Sequence, residues 1–149
     1  MREAALQFFL SEEAVGAGIK FSGLRTGDAG FDLPSLCDQI VPPHGFVLLR
    51  TGVHIAIPLG WVGLVRDRSS VAMRGGATTA GVIDASYRGE VKVAMHNFGA
   101  EPIVFKCGDR LAQLVVIEHL PGTLCTAASS LEELGTTDRG AGGFGSTGK

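Results

Sequence analysis

The chain has no excess of basic charge, no paired cysteines, no long apolar run and no internal repeat. Thirteen Lys and Arg stand against fifteen Asp and Glu, a formal charge of −2 with a pI near 6.1. That balance excludes the basic field that holds a duplex by its phosphates, so nucleic acid is not an expected partner. The three cysteines, Cys37, Cys107 and Cys125, are odd in number, widely spaced and outside any Cys-x-x-Cys pair. This argues against a zinc site and against a disulfide framework, and it fits free thiols in a reducing compartment. No segment approaches the roughly eighteen apolar residues of a membrane span, and the opening Met1-Arg2-Glu3-Ala4-Ala5-Leu6 lacks a signal-peptide apolar run. A soluble protein, cytoplasmic or otherwise intracellular and with no membrane partner, is expected.

What is present in quantity is glycine, 22 residues with 6 prolines, set among Val- and Ile-rich segments. That mixture predicts many short strands joined by many turns, an all-β domain with no long helix. At 149 residues one domain is the natural expectation. Leu6-Gln7-Phe8-Phe9-Leu10, Phe46-Val47-Leu48-Leu49-Arg50, Val53-His54-Ile55-Ala56-Ile57 and Trp61-Val62-Gly63-Leu64-Val65 read as strands. So do Ile103-Val104-Phe105-Lys106-Cys107 and Arg110-Leu111-Ala112-Gln113-Leu114-Val115-Val116-Ile117. Ser11-Glu12-Glu13 reads as an acidic turn, and Val41-Pro42-Pro43-His44-Gly45 as another turn. In the segment from Val53, the period of two puts Val53, Ile55 and Ile57 on one face and leaves His54 on the other as a sheet-face residue.

The stretch from Gly81 to Val93 is chemically the richest. It reads as two apolar arms, Val82-Ile83 and Val91-Lys92-Val93, joined by a loop with one carboxylate, one phenol and one guanidinium, from Asp84, Tyr87 and Arg88. A loop that only reversed the chain would favour Asn-Gly or Asp-Gly at its centre. Asp84 is therefore either a base at the mouth of a backbone-walled pocket or a turn-initiating Asx residue, with Tyr87 a rim aromatic.

Other stretches carry chemistry of their own. Arg66-Asp67-Arg68-Ser69-Ser70-Val71-Ala72 fits one or two helical turns starting near Ser69, either a site for an anion or a capped surface helix with solvated arginines. Gln113 is a lone amide in an apolar strand, which ties down backbone or faces a ligand. Apolar density falls away from Pro121 onward. The final run, Arg139-Gly140-Ala141-Gly142-Gly143-Phe144-Gly145-Ser146-Thr147-Gly148-Lys149, reads as a disordered tail or as a segment whose backbone wraps an anion. The expected division is a β-rich core over residues 1–135 and an arm over 136–149.

Five separated strings resemble, in order, the five motifs of the trimeric deoxyuridine triphosphatase (dUTPase) family. They are Asp28-Ala29-Gly30-Phe31-Asp32-Leu33, Arg68-Ser69-Ser70-Val71-Ala72, Gly81-Val82-Ile83-Asp84 through Tyr87-Arg88-Gly89, Gly108-Asp109-Arg110-Leu111-Ala112-Gln113-Leu114, and the glycine-rich run from Arg139. The resemblance implies a jelly-roll-like subunit, a distorted β-barrel that forms a homotrimer. It also implies three active sites at subunit boundaries, each closed by a flexible C-terminal arm. The implied reaction is hydrolysis of dUTP to dUMP and pyrophosphate, which limits uracil in DNA and supplies dUMP for dTMP synthesis.

By position, the resemblance gives Asp84 the role of orienting and deprotonating the water that attacks the α-phosphorus. It stacks Tyr87 under the deoxyribose, where an aromatic face excludes a 2′-hydroxyl. Uracil is to be read by main chain between residues 78–82 and 91–92, which brings in Thr78, Gly81, Val82, Ile83 and Lys92. Arg68, Ser69, Ser70, Gln113 and Arg139 are placed on the triphosphate, joined by Ser146 and Thr147, with Phe144 over the base. Mg2+ is expected on the phosphates and water, with no direct protein ligand; Asp32 either reaches its hydration shell or supports the fold.

Two positions depart from the family pattern. Ser86 stands where a second acidic residue is frequent, and Asp67 where a proline is frequent; Asp67 is expected to pair with Arg66 or Arg68 and hold a phosphate ligand. The related dCTP deaminases carry a catalytic glutamate where this chain has Arg88, with Glu90 two places on. A non-catalytic nucleotide-binding regulator and a purely structural β-trimer are the remaining rivals.

Overall fold

The computed structural model describes residues 5–21, 25–120 and 122–142. Eleven strands account for most of the regular structure: β1 (Gln7–Leu10), β2 (Phe31–Pro34), β3 (Gln39–Val41), β4 (Phe46–Leu49), β5 (Val53–Ala56), β6 (Trp61–Arg66), β7 (Gly76–Thr79), β8 (Val82–Ile83), β9 (Val93–Asn97), β10 (Ile103–Phe105) and β11 (Arg110–Glu118). Two short helices, α1 (Glu12–Gly16) and α2 (Ser69–Ala72), interrupt them. The expected acidic turn after β1 is in fact α1, because Ser11 caps it: its hydroxyl accepts from Ala14 N at 3.1 Å and Ala14 is fully buried. The strand β3, whose last residue Val41 was expected in a turn, forms because β10 lies against it, Val104 opposite Ile40.

Every strand pair is antiparallel, and most join distant parts of the chain. One sheet runs β2-β11-β6-β8, a second β4-β9-β7, and the pairs β1-β5 and β10-β3 complete the set. Early strands meeting late ones is the connectivity of jelly-roll folds. The main core is built from Leu33, Val41, Leu49, Val53, Ile55, Val65, Met95, Phe105, Leu111 and Leu114 among others, and a small second cluster joins Ala14, Ile19 and Leu36. The alternation expected in β5 holds, with Val53, Ile55 and Ile57 buried and His54 only half-buried.

Buried polar side chains pin the connections. Asn97, 1% exposed, donates to Val41 O and Glu101 O and accepts from Gly99 N, tying β9 to β3 and to its own following turn. Thr51 donates to Val91 O and accepts from Val53 N. The chain divides into two compact units, Met1–His119 and Leu120–Lys149. The second holds two 3-10 turns, Gly122–Leu124 and Glu132–Leu134, and every described residue from 122 to 141 is exposed. No helix among the described residues is long and apolar enough to cross a membrane. Cys37, Cys107 and Cys125 are free and exposed.

Candidate active site

The stretch from residue 81 to 93 is not a simple two-armed hairpin. Its arms belong to different sheets: β8 pairs with β6, Val82 opposite Leu64, while β9 pairs with β4 and β7. The hairpin partner of β9 is β7, with Thr78 opposite Met95 and Thr79 opposite Ala94. Thr78, expected across from Val91 and Lys92, thus stands opposite Met95 instead, and the register continued sets residues 80–82 across from 91–93. The two strands part there because Ala80 takes a left-handed φ of 49° and the chain beyond it leaves for β6. Gly81 makes that departure possible. Its carbonyl accepts from Val65 N at 2.7 Å, and a Cβ at this position would lie 2.7 Å from Val65 O. Gly81→Ala therefore pushes β8 off β6 and is expected to cost about 1–3 kcal/mol, read as a drop in the denaturant midpoint.

At the tip, Asp84 is exposed, and its carbonyl closes the turn by accepting from Tyr87 N at 3.0 Å. Among the described residues no ion pair or hydrogen bond engages its carboxylate. The Tyr87 hydroxyl donates to Glu90 O at 2.9 Å, and its ring lies over Gly89, where any Cβ would overlap the phenol. The ring is thus held against the loop with 43% of the residue exposed. Arg88 folds back onto the carbonyls of Ala85 and Tyr87, and Lys92 is exposed. His54, the sheet-face residue, donates through Nδ1 to Arg88 O at 3.0 Å.

Glu90 takes no part in the open face. Its carboxylate accepts from Thr51 N at 3.0 Å, Gly52 N at 2.9 Å and Arg50 Nε at 3.3 Å, so a local acid has become a clamp on a turn 38 residues away in sequence. Burial pushes its carboxyl up, but the amides of Gly52 and Thr51 and the guanidinium of Arg50 prevail and hold it below the usual range. A folded-state value below the unfolded one contributes stability that is present above the ordinary glutamate value of 4.5 and is lost as pH falls through the lowered value. Glu90→Gln is expected to cost about 1.5–3 kcal/mol at neutral pH and to flatten the acid limb of a stability-against-pH curve. With an arginine at position 88 and Glu90 engaged on the turn at Thr51 and Gly52, the loop offers no free glutamate of the kind a deaminase needs.

The second group of site residues lines a cavity of about 570 Å³ in the first unit, whose walls include Asp32, Arg68, Ser69, Arg110 and Gln113. That volume suits a small-molecule ligand. Three strands position it. Gln113 on β11 stands opposite Asp32 on β2 and Arg66 on β6, and Arg68 follows the end of β6 as the N-cap of α2. Asp32 bridges two cations: Oδ1 meets Arg68 Nε at 3.1 Å and Oδ2 meets Arg110 NH1 at 3.2 Å. Each of its oxygens is engaged by a guanidinium. Because the bond to Arg68 uses Nε, the terminal nitrogens of that guanidinium remain for an anion.

Arg110, Lys20 and Arg25 also line this cavity and were missed by sequence reasoning. For Arg110 the reason is geometric. Simple alternation puts residues 110 and 113 on opposite faces, but the register slips between Arg110 and Ala112, an irregularity that returns both to one face with Asp32 and Pro34. Gly30 is required for space rather than for φ, since a Cβ there would lie 2.9 Å from Gln113 Oε1.

Asp67 does not pair with Arg66 or Arg68, and that expectation is corrected. Its Oδ1 accepts from Thr78 N at 2.6 Å, while its carbonyl accepts from Gln113 Nε2 at 2.9 Å. An extended backbone N–H with no other partner outbids the exposed guanidinium of Arg66, whose pairing is worth little, and Arg68 is already engaged by Asp32.

The cavity walls include none of Asp84, Tyr87, Thr78, Gly81, Val82, Ile83 or Lys92, so one chain presents the cationic wall and the carboxylate loop as separate surfaces. Ser70, beside Ser69, is exposed and outside the lining as well. In the second unit, Arg139 donates through Nε to Gly142 O at 2.8 Å. The expected contributions of Phe144, Ser146 and Thr147 lie outside the described residues. Among the described residues no cluster of three or more His, Cys, Asp or Glu side chains could hold a metal ion.

Comparison with known proteins bears directly on these strings. The dUTPase family model matches residues 21–148. A deoxyuridine 5'-triphosphate nucleotidohydrolase of Mycobacterium marinum is 49% identical over 133 residues, 85% of this chain and 86% of that protein. One from Candida albicans is 48% identical over 122 residues, covering 81% and 76%. Among solved structures, a Staphylococcus bacteriophage 80alpha dUTPase with dUPNHPP superposes with a TM-score of 0.81 at 25% identity, over 97% of this chain and 99% of that one. The motifs, the strand connectivity and these matches agree: the chain belongs to the dUTPase family.

Proposed function

We propose that this protein is a dUTP diphosphatase, hydrolysing dUTP to dUMP and pyrophosphate. The observation that carries the proposal is the cavity wall, where Arg68, oriented through Asp32, stands with Ser69 and Gln113. Cations, hydroxyl and amide together suit a chain of phosphates, and family membership names the nucleotide. Ser70, adjacent to that wall, and Arg139, Ser146 and Thr147 of the arm complete the phosphate contacts, with Phe144 covering the base.

In the reaction, the unengaged carboxylate of Asp84 holds a water in line with the α-phosphorus and takes its proton as the phosphorus–oxygen bond forms. Pyrophosphate leaves against the guanidinium of Arg68 and the amide of Gln113. Tyr87 lies under the deoxyribose, and its face offers a 2′-hydroxyl no partner, so ribonucleotides bind less well. The opening between residues 80–82 and 91–93, together with Thr78, reads uracil through main-chain groups. Thymine's methyl clashes there and cytosine's amino group meets a mismatched donor.

Mg2+ fits this site through the substrate. The wall is cationic and the one carboxylate on it that touches Arg68 is engaged by two guanidiniums, so the phosphates and water hold the ion while Asp32 steadies the residues around it. When bound, the ion neutralises phosphate charge.

Separation of the carboxylate loop from the cationic wall on one chain is met by a homotrimer, each site drawing the two parts from different subunits. Exposed apolar side chains supply surface for it: Ile40 and Val104 stand opposite each other, and Phe46, Leu48 and Phe98 are each more than half exposed. The enzyme works inside the cell, on free nucleotide. Incubation with dUTP and dCTP in parallel tests the assignment. Pyrophosphate from dUTP and no ammonia from dCTP is the expected pattern; ammonia release assigns the chain to deamination instead.

A further inference from the structure

Asp67 touches both halves of the site described above. Its carbonyl receives Gln113 Nε2 at 2.9 Å, which fixes one end of the amide on the phosphate wall and leaves the second amide N–H for a ligand. Its carboxylate receives Thr78 N at 2.6 Å, which fixes the peptide plane of β7 immediately before the strand parts from β9. Arg68, the next residue, is the N-cap of α2 and the partner of Asp32. Within one chain, then, a single residue joins the phosphate wall to the arm that opens for the base, with one bond on its main chain and one on its side chain. Alternate N–H groups along a strand point to opposite sides, so the Thr78 amide faces away from β9 on the open edge of its sheet. Without an acceptor there, that edge is free to shift.

We propose that Asp67 is a positioning residue that couples the phosphate-binding wall to the base-binding arm, so that disturbing its carboxylate weakens recognition at both ends. The proposal rests on the functional reading above, because Thr78 and Gln113 owe their significance to it. It differs from a purely structural role in what it predicts for two separate ligands. In the trimer proposed above, the wall and the arm of one chain serve different active sites, so the link runs between neighbouring sites.

The test measures binding of inorganic pyrophosphate and of deoxyuridine, separately, to the full-length protein by titration calorimetry. Asp67→Ala is expected to weaken both ligands about fivefold to tenfold, as loss of a charge-assisted bond at an exposed position allows. Asp67→Asn keeps an acceptor oxygen and is expected to bind both within about twofold of the unmodified protein. Ser69→Ala, on the phosphate wall only, is expected to weaken pyrophosphate alone. A thermal melt of each variant reports folding; should Asp67→Ala fail to fold, Asp67→Ser, which loses the carboxylate but keeps a small polar side chain, takes its place with the same expected losses. Loss confined to one ligand in Asp67→Ala, or equal losses in Asn and Ala, overturns the coupling while leaving the diphosphatase assignment intact. Failure of the unmodified protein to bind either ligand overturns the assignment and the coupling together.

Discussion

Replacing Asp84 by Asn is expected to lower kcat for dUTP by about three orders of magnitude and to leave the affinity for the nucleotide within a fewfold. The substitution keeps the size and an acceptor oxygen but removes the basic oxygen that takes the proton from water, the part of the barrier a positioned base supplies. Affinity is expected to hold because the proposed nucleotide contacts come from elsewhere: main chain for the base, and Arg68, Ser69 and Gln113 for the phosphates. The fold also holds. Asp84 is exposed and no other described side chain or amide depends on its carboxylate, so the melting curve of the variant should overlay that of the parent. Single-turnover and equilibrium-binding measurements on the same preparation separate the two effects. Parental turnover in the variant would remove Asp84 from the chemistry.

Removal of residues after Gly135 is expected to lower kcat/KM by about a hundredfold, the scale on which lost positioning and water exclusion act. On the proposed reading it removes the phosphate contacts of Arg139, Ser146 and Thr147 and the cover that Phe144 gives the base. Core stability should change by less than about 0.5 kcal/mol, because the described residues from 136 to 141 are all exposed and pack into no core. A steady-state assay paired with denaturant unfolding checks both halves. Undiminished turnover would show the arm to be a dispensable tail.

Much of this was legible in the residues themselves, and the particulars show why. The glycine- and β-branched-rich composition marked an all-β chain, and the period of two in Val53, Ile55 and Ile57 identified the buried face of β5 without any knowledge of its partner β1. The five strings were legible because each is local. What stayed hidden was non-local. Glu90 bonds to Thr51 and Gly52, which no window around residue 90 includes. Val82-Ile83 looked like one arm of a hairpin, yet β6 already offered an open edge and captured it. Asp67, between two arginines in sequence, took a backbone amide from β7 in preference to either. Arg110 reached the cavity through a slip in register that side-chain alternation does not announce. The separation of Asp84 from the phosphate wall is likewise a property of the folded surface and not of any motif.

The account turns on water attacking the α-phosphorus from the Asp84 side. Hydrolysis of dUTP in 18O-enriched water, with the products resolved by mass spectrometry, locates the bond that breaks. The label is predicted in dUMP, with pyrophosphate unlabelled; label in pyrophosphate would place the attack on the β-phosphorus and contradict the role assigned to Asp84.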